Sequence, residues 1–381
     1  MNRIKSDKII VNESLVSGYV YFENGRIYAV TDEEFPYDNE YDETGYYVSP
    51  GFIDMHTHGG GGHEFFGSAE DIIEGSKFHM RHGTTSICPT ISAAPFEVMK
   101  KSVCEFRKAK ESTEMIPNLI GLHLEGPYLS AEQCGAQCTD FITPPIPEQY
   151  CSLIEEAGDV LARWTYAPEN DLEGTFCKYL TDHHIIASAG HTNAEYGHMC
   201  MAMNNGCNLV THLYSCTSTV TRHQGFRKLG VIESAFLHDD FYVEIIADGK
   251  HLPPELIRMI LKIKGSDRVA LVTDSLALAG SGITHGVTLN TEFIIEDGVC
   301  KLMDRSAFAG SIATADVLIR VLVKEVEVTI PEAVKMMTKV PAEILRLNKG
   351  VLEAGKDADI IVFDKEIQIK EIYVEGEKYV G

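Results

Sequence analysis

The sequence predicts an α/β fold: a (β/α)8 TIM-like barrel with a small β-sandwich domain formed by both chain ends. Across residues 51–347, short apolar runs alternate with helical patterns, as a parallel barrel requires. Residues 1–50 instead alternate in the manner of strands joined by turns, and the same pattern returns in residues 348–381. We therefore expect one barrel domain and one discontinuous sandwich domain with these limits.

The two chain ends are predicted to pair with each other in the small domain. Asn24-Gly25 is a typical hairpin turn, and the acidic stretch from Asp32 to Glu43 predicts a solvated loop. Alternating apolar residues predict strands at 8–11, 18–22, 26–30, 359–363 and 371–377. We expect the last two of these strands to join the first three.

Eight apolar runs predict the barrel strands, and most of the intervals between them carry a helical pattern. The segment from Ser68 to His82 is an example, because Ser68 suits an N-cap, Asp71 follows three residues later and Gly83 suits the C-terminal stop. Eight such units match a (β/α)8 barrel. The predicted strands are 52–55, 84–88, 119–124, 162–166, 185–189, 208–211, 242–247 and 269–273.

An insertion follows the eighth predicted strand. Residues 284–311 interrupt the βα pattern with strand-like pieces around Asp297-Gly298. Helices are then predicted at 313–326, 331–338 and 341–347, and a proline at the start of the second suits the first turn of a helix.

Composition narrows the classes of function. Of the 381 residues, 44% are hydrophobic, which predicts a globular core, and the formal net charge of −23 disfavours nucleic acid and anionic membranes as partners. The ten cysteines lack paired spacing, so we expect reduced thiols and a cytoplasmic location, and Cys134 and Cys138 are poorly spaced for a metal site. Residues 1–11 lack the apolar segment of a signal peptide, and no apolar run reaches the roughly 20 residues that span a bilayer.

Six candidate metal ligands stand where five of the predicted strands end or where the next loop begins. The carboxyl ends of barrel strands meet at one rim, so these side chains are expected to converge. Imidazole and carboxylate groups together suit a hydrolytic metal such as zinc. The candidates are His56, His58, Glu125, His191, His212 and Asp274.

Each candidate also has a plainer interpretation. The spacing of His56 and His58 lets both rings point the same way from a strand, although such pairs are often incidental. Glu125 is costly to bury unless it is paired or metal-bound, and its plainer interpretation is a glutamate that caps a helix or forms a salt bridge. Asp274 could cap the next turn, and His123 suits either a core residue or a support for the ligands.

The chain resembles the amidohydrolase superfamily, and most closely its sugar-phosphate deacetylases. The resemblance covers about residues 8–375. The motifs at 123–127 and 247–251 are more specific than the pair His56 and His58, which the whole superfamily shares. The matching stretches are Pro50-Gly51-Phe52-Ile53-Asp54, His123-Leu124-Glu125-Gly126-Pro127, Ala189-Gly190-His191, Thr211-His212, Ala247-Asp248-Gly249-Lys250-His251, Val272-Thr273-Asp274, Ala309-Gly310-Ser311 and Gly355-Lys356-Asp357.

The resemblance implies a role for each site residue. Glu125, His191 and His212 would hold the catalytic metal, and His56 and His58 would hold a second ion with Glu125 as the bridge. Asp274 would be the general base and then the general acid, at the edge of the metal site. The implied cofactor is one or two divalent ions per subunit, zinc first, with iron, manganese and cobalt as alternatives.

The resemblance also implies the substrate contacts. Arg227 and His251 would bind a phosphate, with His251 coming from a neighbouring subunit of a homodimer. Ser311 would line the sugar pocket beside Gly310. The substrate loops depart from the family: Gln137 stands where many members have a histidine, Ser215 and Cys216 replace Asn-Ala, and Arg222 competes with Arg227 for the phosphate.

The implied activity is removal of the acetyl group from N-acetylglucosamine 6-phosphate, giving glucosamine 6-phosphate and acetate. Its partner would be this small sugar phosphate. Three alternatives stay open because the substrate loops differ. One is another amidohydrolase, such as a different acetamido-sugar deacetylase, an N-acyl amino acid deacylase or a cyclic amidase. The others are a deaminase on the same barrel and a binding protein that has no catalytic activity.

Overall fold

Eight parallel strands form a nearly closed barrel in the computed structural model, which describes residues 1–380. All eight overlap the predicted strands, so the predicted fold class is confirmed. In order they are Phe52–Thr57, Thr84–Ile91, Leu122–Glu125, Leu161–Tyr166, Ile186–Ala189, Leu209–Val210, Tyr242–Ile245 and Val269–Leu271. A two-residue strand, Asn118–Leu119, precedes the third and pairs with the second.

One helix follows each barrel strand, and the helices cover the outside of the barrel. The first begins as predicted, because the Ser68 hydroxyl accepts from the Asp71 backbone N–H and the Asp71 carboxylate accepts from the Ser68 N–H. The eight helices are Ala69–Met80, Phe96–Lys110, Pro147–Ala157, Thr175–Asp182, Tyr196–Asn204, Val231–Leu237, Pro254–Lys264 and Ala315–Val321. Leu322–Val326 continues the eighth helix as a short π-helix. Two further α-helices follow, Ile330–Met337 and Lys339–Ile344.

The seam between the eighth and first strands is closed by side chains and loop backbone. The Asp54 carboxylate accepts hydrogen bonds from the Thr273 hydroxyl at 2.6 Å and from the Thr273 N–H at 3.3 Å. Just above, the Asp274 N–H donates to the His56 carbonyl at 2.9 Å. These bonds bring the start of the loop after the eighth strand beside the first strand, where two of the candidate ligands lie.

Both chain ends form one connected sheet of eight strands, as predicted. The tail strand Ile360–Phe363 pairs antiparallel with Tyr47–Pro50, which joins the tail to the N-terminal part. The acidic loop prediction was wrong at one point, because Asn39–Asp42 pairs in parallel with the first strand. The strands are Asn2–Val11, Ser14–Glu23, Arg26–Thr31, Asn39–Asp42, Tyr47–Pro50, Ile360–Phe363, Ile369–Val374 and Glu377–Lys378. The limits predicted for the two domains stay a prediction.

The insertion after the eighth strand forms a separate four-stranded antiparallel sheet, as its strand-like pieces predicted. Its strands are His285–Thr288, Thr291–Glu296, Val299–Leu302 and Phe308–Gly310. A smaller hairpin, Thr221–His223 with Phe226–Lys228, follows the sixth strand. Within residues 1–380, none of the helices is long and apolar enough to cross a membrane.

Candidate active site

The first candidate metal triad consists of Glu125, His191 and His212. Glu125 ends the third strand, and the two histidines follow the fifth and sixth strands. Glu125 Oε1 lies 3.1 Å from His191 Nε2 and 2.8 Å from His212 Nε2, and the two Nε2 atoms are 3.1 Å apart. Two nitrogens on a tetrahedral zinc ion with bonds of 2.0–2.1 Å are about 3.3 Å apart, so this spacing suits a shared ion.

The second candidate triad uses the same glutamate. Glu125 Oε2 lies 3.3 Å from His58 Nε2, and Glu125 Oε1 lies 3.4 Å from His56 Nε2. The two Nε2 atoms of His56 and His58 are 3.3 Å apart. In each triad the three ligand atoms lie within 4.8 Å of one another. Glu125 can therefore bridge two ions, and its side chain is only 2% exposed.

Asp274 completes the cluster at the eighth strand. Its Oδ1 lies 3.1 Å from His58 Nε2 and 3.5 Å from His56 Nε2. Burial opposes its ionisation, but the imidazoles of His56 and His58 outweigh that effect and lower the pKa of Asp274 below its ordinary value. The structure thus brings together all six predicted metal-site residues. Their individual roles stay predictions.

Three of these residues have a strained backbone. His191, His212 and Asp274 have φ values of +47°, +28° and +48°, in the left-handed region that side chains other than glycine rarely adopt. Each stands just beyond the end of a barrel strand, where the chain turns over the rim. Such strain is often concentrated at functional sites, and here it aims the three side chains at one point.

Neighbouring acceptors hold two of the imidazoles in one tautomer. His191 Nδ1 lies 2.9 Å from the Gln133 carbonyl, and His56 Nδ1 lies 3.3 Å from the Glu244 carboxylate. A carbonyl or an ionised carboxylate can only accept, so Nδ1 of a neutral ring carries the proton and Nε2 keeps its lone pair. Both Nε2 atoms face the cluster. This is the arrangement that metal-binding histidines require.

The electrostatics of the cluster favour positive charge at its centre. Burial opposes protonation of His56, but the carboxylates of Glu125 and Asp274 outweigh it and raise the pKa of His56 to about 10. Burial likewise opposes ionisation of Glu125, yet the imidazoles of His56 and His191 lower its pKa well below the ordinary value. Carboxylates that attract protons onto neighbouring imidazoles will also attract a divalent ion, which displaces those protons. The residues present therefore fit a divalent metal.

A cavity of about 310 Å³ opens over the cluster. All metal-site residues except His56 line it, and the four-stranded insertion forms much of the remaining wall. Its wall residues outside the metal site include Gln137, Tyr214, Ser215, Cys216, His251, Leu289, Phe293 and Phe308. The insertion contributes mainly apolar side chains, so a ligand's polar groups must be recognised by the metal site and by the loops.

Three of the predicted substrate residues line this cavity without a partner subunit. Gln137 reaches the metal site: its Nε2 donates to Glu125 Oε2 at 2.7 Å, and its Oε1 accepts from the Ala93 N–H at 2.8 Å. Ser215 and Cys216 line the same cavity as His212, and their contact with a substrate stays a prediction. The positive φ of Gly135 and the 2.5 Å that a Cβ there would leave to Cys216 Sγ show how closely the two loops approach.

The predicted origin of His251 was wrong. His251 lines the cavity of its own chain and does not need a neighbouring subunit to reach it. The reason is local, because the Asp248 carboxylate accepts from the backbone N–H groups of Lys250 and His251 at 2.8 Å and lies 2.8 Å from His251 Nδ1. This turn folds the imidazole inward.

Two other predicted contacts do not lie on the cavity wall. Ser311 is fully buried, its hydroxyl donates to the Thr273 carbonyl and its N–H donates to the Asp274 carbonyl at 2.8 Å, so it supports the Asp274 turn. Its predicted contact with the sugar is therefore corrected, although Gly310 does line the cavity. Arg227 and its competitor Arg222 lie on the exposed hairpin, and neither belongs to the cavity wall.

Sequence reasoning missed two charged residues beneath the site, Arg163 and Glu244. Both side chains are fully buried and contact each other inside the barrel. Each interrupts an apolar strand, in Leu161–Tyr166 and Tyr242–Ile245. A charge within a short buried strand was the available sign, because such a charge must be paired.

Comparisons with known proteins agree with this geometry. Residues 47–380 match the amidohydrolase family. Among curated relatives, N-acetylglucosamine-6-phosphate deacetylase from Bacillus subtilis is 30% identical, covering 94% of this chain and 91% of that one. The protein of the same name from Haemophilus influenzae is 32% identical, covering 86% of this chain and 85% of that one.

Solved structures agree with these matches. N-acetylglucosamine-6-phosphate deacetylase from Pasteurella multocida superposes with a TM-score of 0.92 at 28% identity, and the match covers 100% of both chains. An alanine variant of the Mycobacterium smegmatis protein, in complex with N-acetyl-D-glucosamine-6-phosphate, gives a TM-score of 0.91 at 26% identity, covering 99% of this chain and 98% of that one. An enamidase at 16% identity and a TM-score of 0.58 shares the fold.

Proposed function

This chain belongs to the amidohydrolase family, among its N-acetylglucosamine-6-phosphate deacetylases, and from that premise we propose that it hydrolyses the acetamide of N-acetylglucosamine 6-phosphate to glucosamine 6-phosphate and acetate. One observation carries the proposal. Glu125 joins two imidazole pairs, and Asp274 stands beside them in a cavity that His251 also lines. A metal-assisted hydrolase needs this set of groups.

The enzyme depends on a divalent metal, and we propose zinc, with two ions per subunit. His191 and His212 would hold one ion, His56 and His58 the other, and Glu125 would bridge them. Zinc suits three to four nitrogen and carboxylate ligands, although iron, manganese and cobalt accept the same donors. When bound, the metal supplies Lewis acidity that polarises the acetamide carbonyl and favours deprotonation of the attacking water.

Asp274 would carry the proton during the reaction. Its carboxylate lies at the edge of the cluster, within 3.1 Å of a ligand nitrogen, so it can accept a proton from a water held there. The same carboxyl group then donates that proton to the sugar nitrogen as the amide bond breaks. Gln137, whose amide bridges Glu125 and the Ala93 N–H, would orient Glu125 and present a donor edge to the acetyl group.

The phosphate would be bound at the far side of the cavity. His251 supplies an imidazole there, and Ser215 and Cys216 supply loop backbone. Arg227 stands on the exposed hairpin outside its own chain's cavity, so we propose a homodimer in which this hairpin brings Arg227 to the phosphate in the neighbouring subunit. A bidentate guanidinium contact suits a phosphate, and it supplies local positive charge to a chain of net charge −23.

Acetate release from a panel of substrates tests the proposal. The zinc-loaded protein should release acetate from N-acetylglucosamine 6-phosphate much faster than from N-acetylglucosamine, because the phosphate contacts are lost with the second sugar. Faster hydrolysis of N-acyl amino acids or of cyclic amides would assign the chain to another branch of the family. No acetate release by metal-loaded, folded protein would contradict the proposed activity.

Mixed dimers test the proposed origin of Arg227. Arg227→Ala and Asp274→Asn subunits should each be nearly inactive on the phosphorylated sugar. Mixing and reassociating them should restore up to a quarter of the wild-type rate, because one in four sites would then contain an intact Asp274 and a partner's intact Arg227. A mixture no more active than its components would contradict this arrangement.

A further inference from the structure

An ion pair lies inside the barrel directly beneath the metal cluster. Arg163 on the fourth strand and Glu244 on the seventh are both fully buried, and Arg163 Nη1 contacts Glu244 Oε1. Arg163 Nη1 also donates to the Met55 carbonyl at 3.1 Å, next to His56 in the chain. The attraction in a buried pair is largely offset by the cost of desolvating both charges, so stability alone gives little reason for it. The proposed deacetylation assigns neither residue a role.

The second oxygen of Glu244 faces a metal ligand. Glu244 Oε2 lies 3.3 Å from His56 Nδ1, and it also accepts from the His212 backbone N–H at 3.4 Å. An ionised carboxylate only accepts hydrogen bonds, so it holds the proton of the neutral His56 ring on Nδ1. The lone pair of His56 is then on Nε2, which faces His58 and Glu125. Arg163 contacts the opposite oxygen and so leaves Oε2 to His56.

The two triads differ in what fixes their imidazoles. In the first triad, His191 is held by the Gln133 carbonyl, which does not depend on Glu244. In the second triad, His58 Nδ1 lies 3.1 Å from the Ser92 hydroxyl, which can donate or accept and so fixes no tautomer. Glu244 is therefore the acceptor that fixes the tautomer of an imidazole, that of His56, in the second triad.

We propose that Glu244, oriented by Arg163, is a positioning residue for the second metal ion, because it presents the His56 Nε2 lone pair to that ion. The inference rests on the proposed function, since it concerns the second ion of that centre. Removing an acceptor behind a metal-binding histidine typically costs 10–100-fold in metal affinity. In Glu244→Gln the single amide oxygen is taken by Arg163, so the amide N–H group faces His56 Nδ1 and no acceptor is left there. This variant should therefore bind one of the two ions more weakly by about that factor and leave the affinity of the other nearly unchanged.

Zinc titration of metal-free protein against a chromophoric chelator tests this. Wild type should bind two ions tightly, whereas Glu244→Gln should bind one ion tightly and the other with lower affinity. Glu255→Gln, on the exposed face of the helix Pro254–Lys264, is the matched control and should behave as wild type. Two ions bound by Glu244→Gln as tightly as by wild type would overturn the proposal, and so would equal weakening of both.

Two further measurements cover a variant that fails to fold. Arg163→Met/Glu244→Met removes both buried charges and the acceptor behind His56 together, and it should show the same loss of one ion. If that variant also fails to fold, ¹⁵N NMR of histidine-labelled, zinc-loaded wild type decides: a His56 ring that keeps its proton on Nδ1 and binds zinc through Nε2 supports the proposal, and one protonated on Nε2 overturns it. The two proposals can fail separately. If wild type releases acetate while it binds only one ion, the inference about Glu244 is contradicted and the proposed function stands. If wild type binds two ions but releases no acetate, the proposed function is contradicted and the inference stands.

Discussion

Glu125 contributes its two carboxylate oxygens to different imidazole pairs, one towards His191 and His212 and the other towards His58. Its position follows from its neighbours, because the Trp164 indole donates to the Gly126 carbonyl at 2.7 Å and so fixes the chain just beyond the third strand. A backbone hydrogen bond also positions Asp274, because its N–H donates to the His56 carbonyl. The site is therefore built from backbone as much as from side chains.

Replacing Asp274 tests its proposed role in proton transfer. Asp274→Asn has nearly the same shape but cannot accept the proton of the attacking water, so kcat should fall by about 10²–10⁴-fold, the usual contribution of a general base. The pH–rate profile should also lose its acidic limb. Steady-state kinetics and a zinc count on the same sample measure this. A near wild-type kcat with zinc retained would remove Asp274 from the mechanism.

Replacing His251 tests the recognition of phosphate. His251→Asn removes an imidazole that Asp248 holds in the cavity wall, so kcat/KM for the phosphorylated sugar should fall by about 10–100-fold, as expected for loss of a hydrogen bond to a charged group. The rate with unphosphorylated N-acetylglucosamine should not change, which is the internal control. Equal losses with both sugars would show that His251 does not contact the phosphate.

The candidate ligands could be predicted because each follows an apolar run at a strand end, and this pattern can be recognised in the sequence without the structure. It did not reveal Arg163 and Glu244, because their role depends on three strands meeting inside the barrel. The origin of His251 was mispredicted for a similar reason: the turn made by Asp248 is local, but the direction in which it points the ring depends on the barrel rim.

At the scale of the elements, strands and helix starts were predicted best where a local rule decides them. The capping pair of Ser68 and Asp71 is one example, and the hairpin turn at Asn24-Gly25 is another. The strand Asn39–Asp42 was missed because its residues are polar and mostly exposed, and its pairing with the first strand comes from a neighbour 37 residues away in the chain, as in the pair Asn2 and Asn39.

The capping pair gives a prediction about the first barrel helix. Ser68→Ala removes the acceptor for the Asp71 N–H and should lower the free energy of unfolding by about 1 kcal/mol, the usual effect of losing such a cap. Ser68→Thr keeps a hydroxyl that can accept from the Asp71 N–H and donate to its carboxylate, and it should cost much less. Urea unfolding of both variants measures the difference. Equal loss in the two variants would show that the cap does not stabilise this helix.

At the scale of the whole molecule, the barrel and the insertion both contribute residues to one site. The Asp54 carboxylate closes the barrel seam through Thr273, and burial raises the pKa of Asp54 to about 6 even though these hydrogen bonds favour its ionised form. The insertion covers the cavity with apolar side chains such as Phe293 and Phe308. The extent of that cover could not be predicted, because only the fold brings residues 285–310 back over the rim.

The stability of the whole molecule should depend on pH through His79. Burial lowers the pKa of His79 to about 4, and the Gly59 carbonyl next to its Nε2 offsets only part of this effect. The unfolded chain takes up this proton near pH 6.5, whereas the folded protein resists it until about pH 4. Stability is therefore lost as the pH falls through this window, by up to about 3 kcal/mol from this group.

Urea unfolding from pH 7 to pH 4 in wild type and His79→Gln checks this. The glutamine amide can still donate to the Gly59 carbonyl but does not titrate, so the variant should lose less stability than wild type as the pH falls. The comparison of the two proteins cancels the contributions of the metal-site histidines. Parallel pH dependence in wild type and variant would show that His79 is not the group responsible.

The central claim is that Glu125 lies between two divalent ions at the rim of the barrel. Anomalous diffraction at the zinc edge, from crystals of the zinc-loaded protein, tests it most directly. We predict two peaks, one in contact with His191 and His212 and the other with His56 and His58, and a Glu125 oxygen in contact with each. Peaks that lie elsewhere, or ions bound without contact to Glu125, would contradict the account.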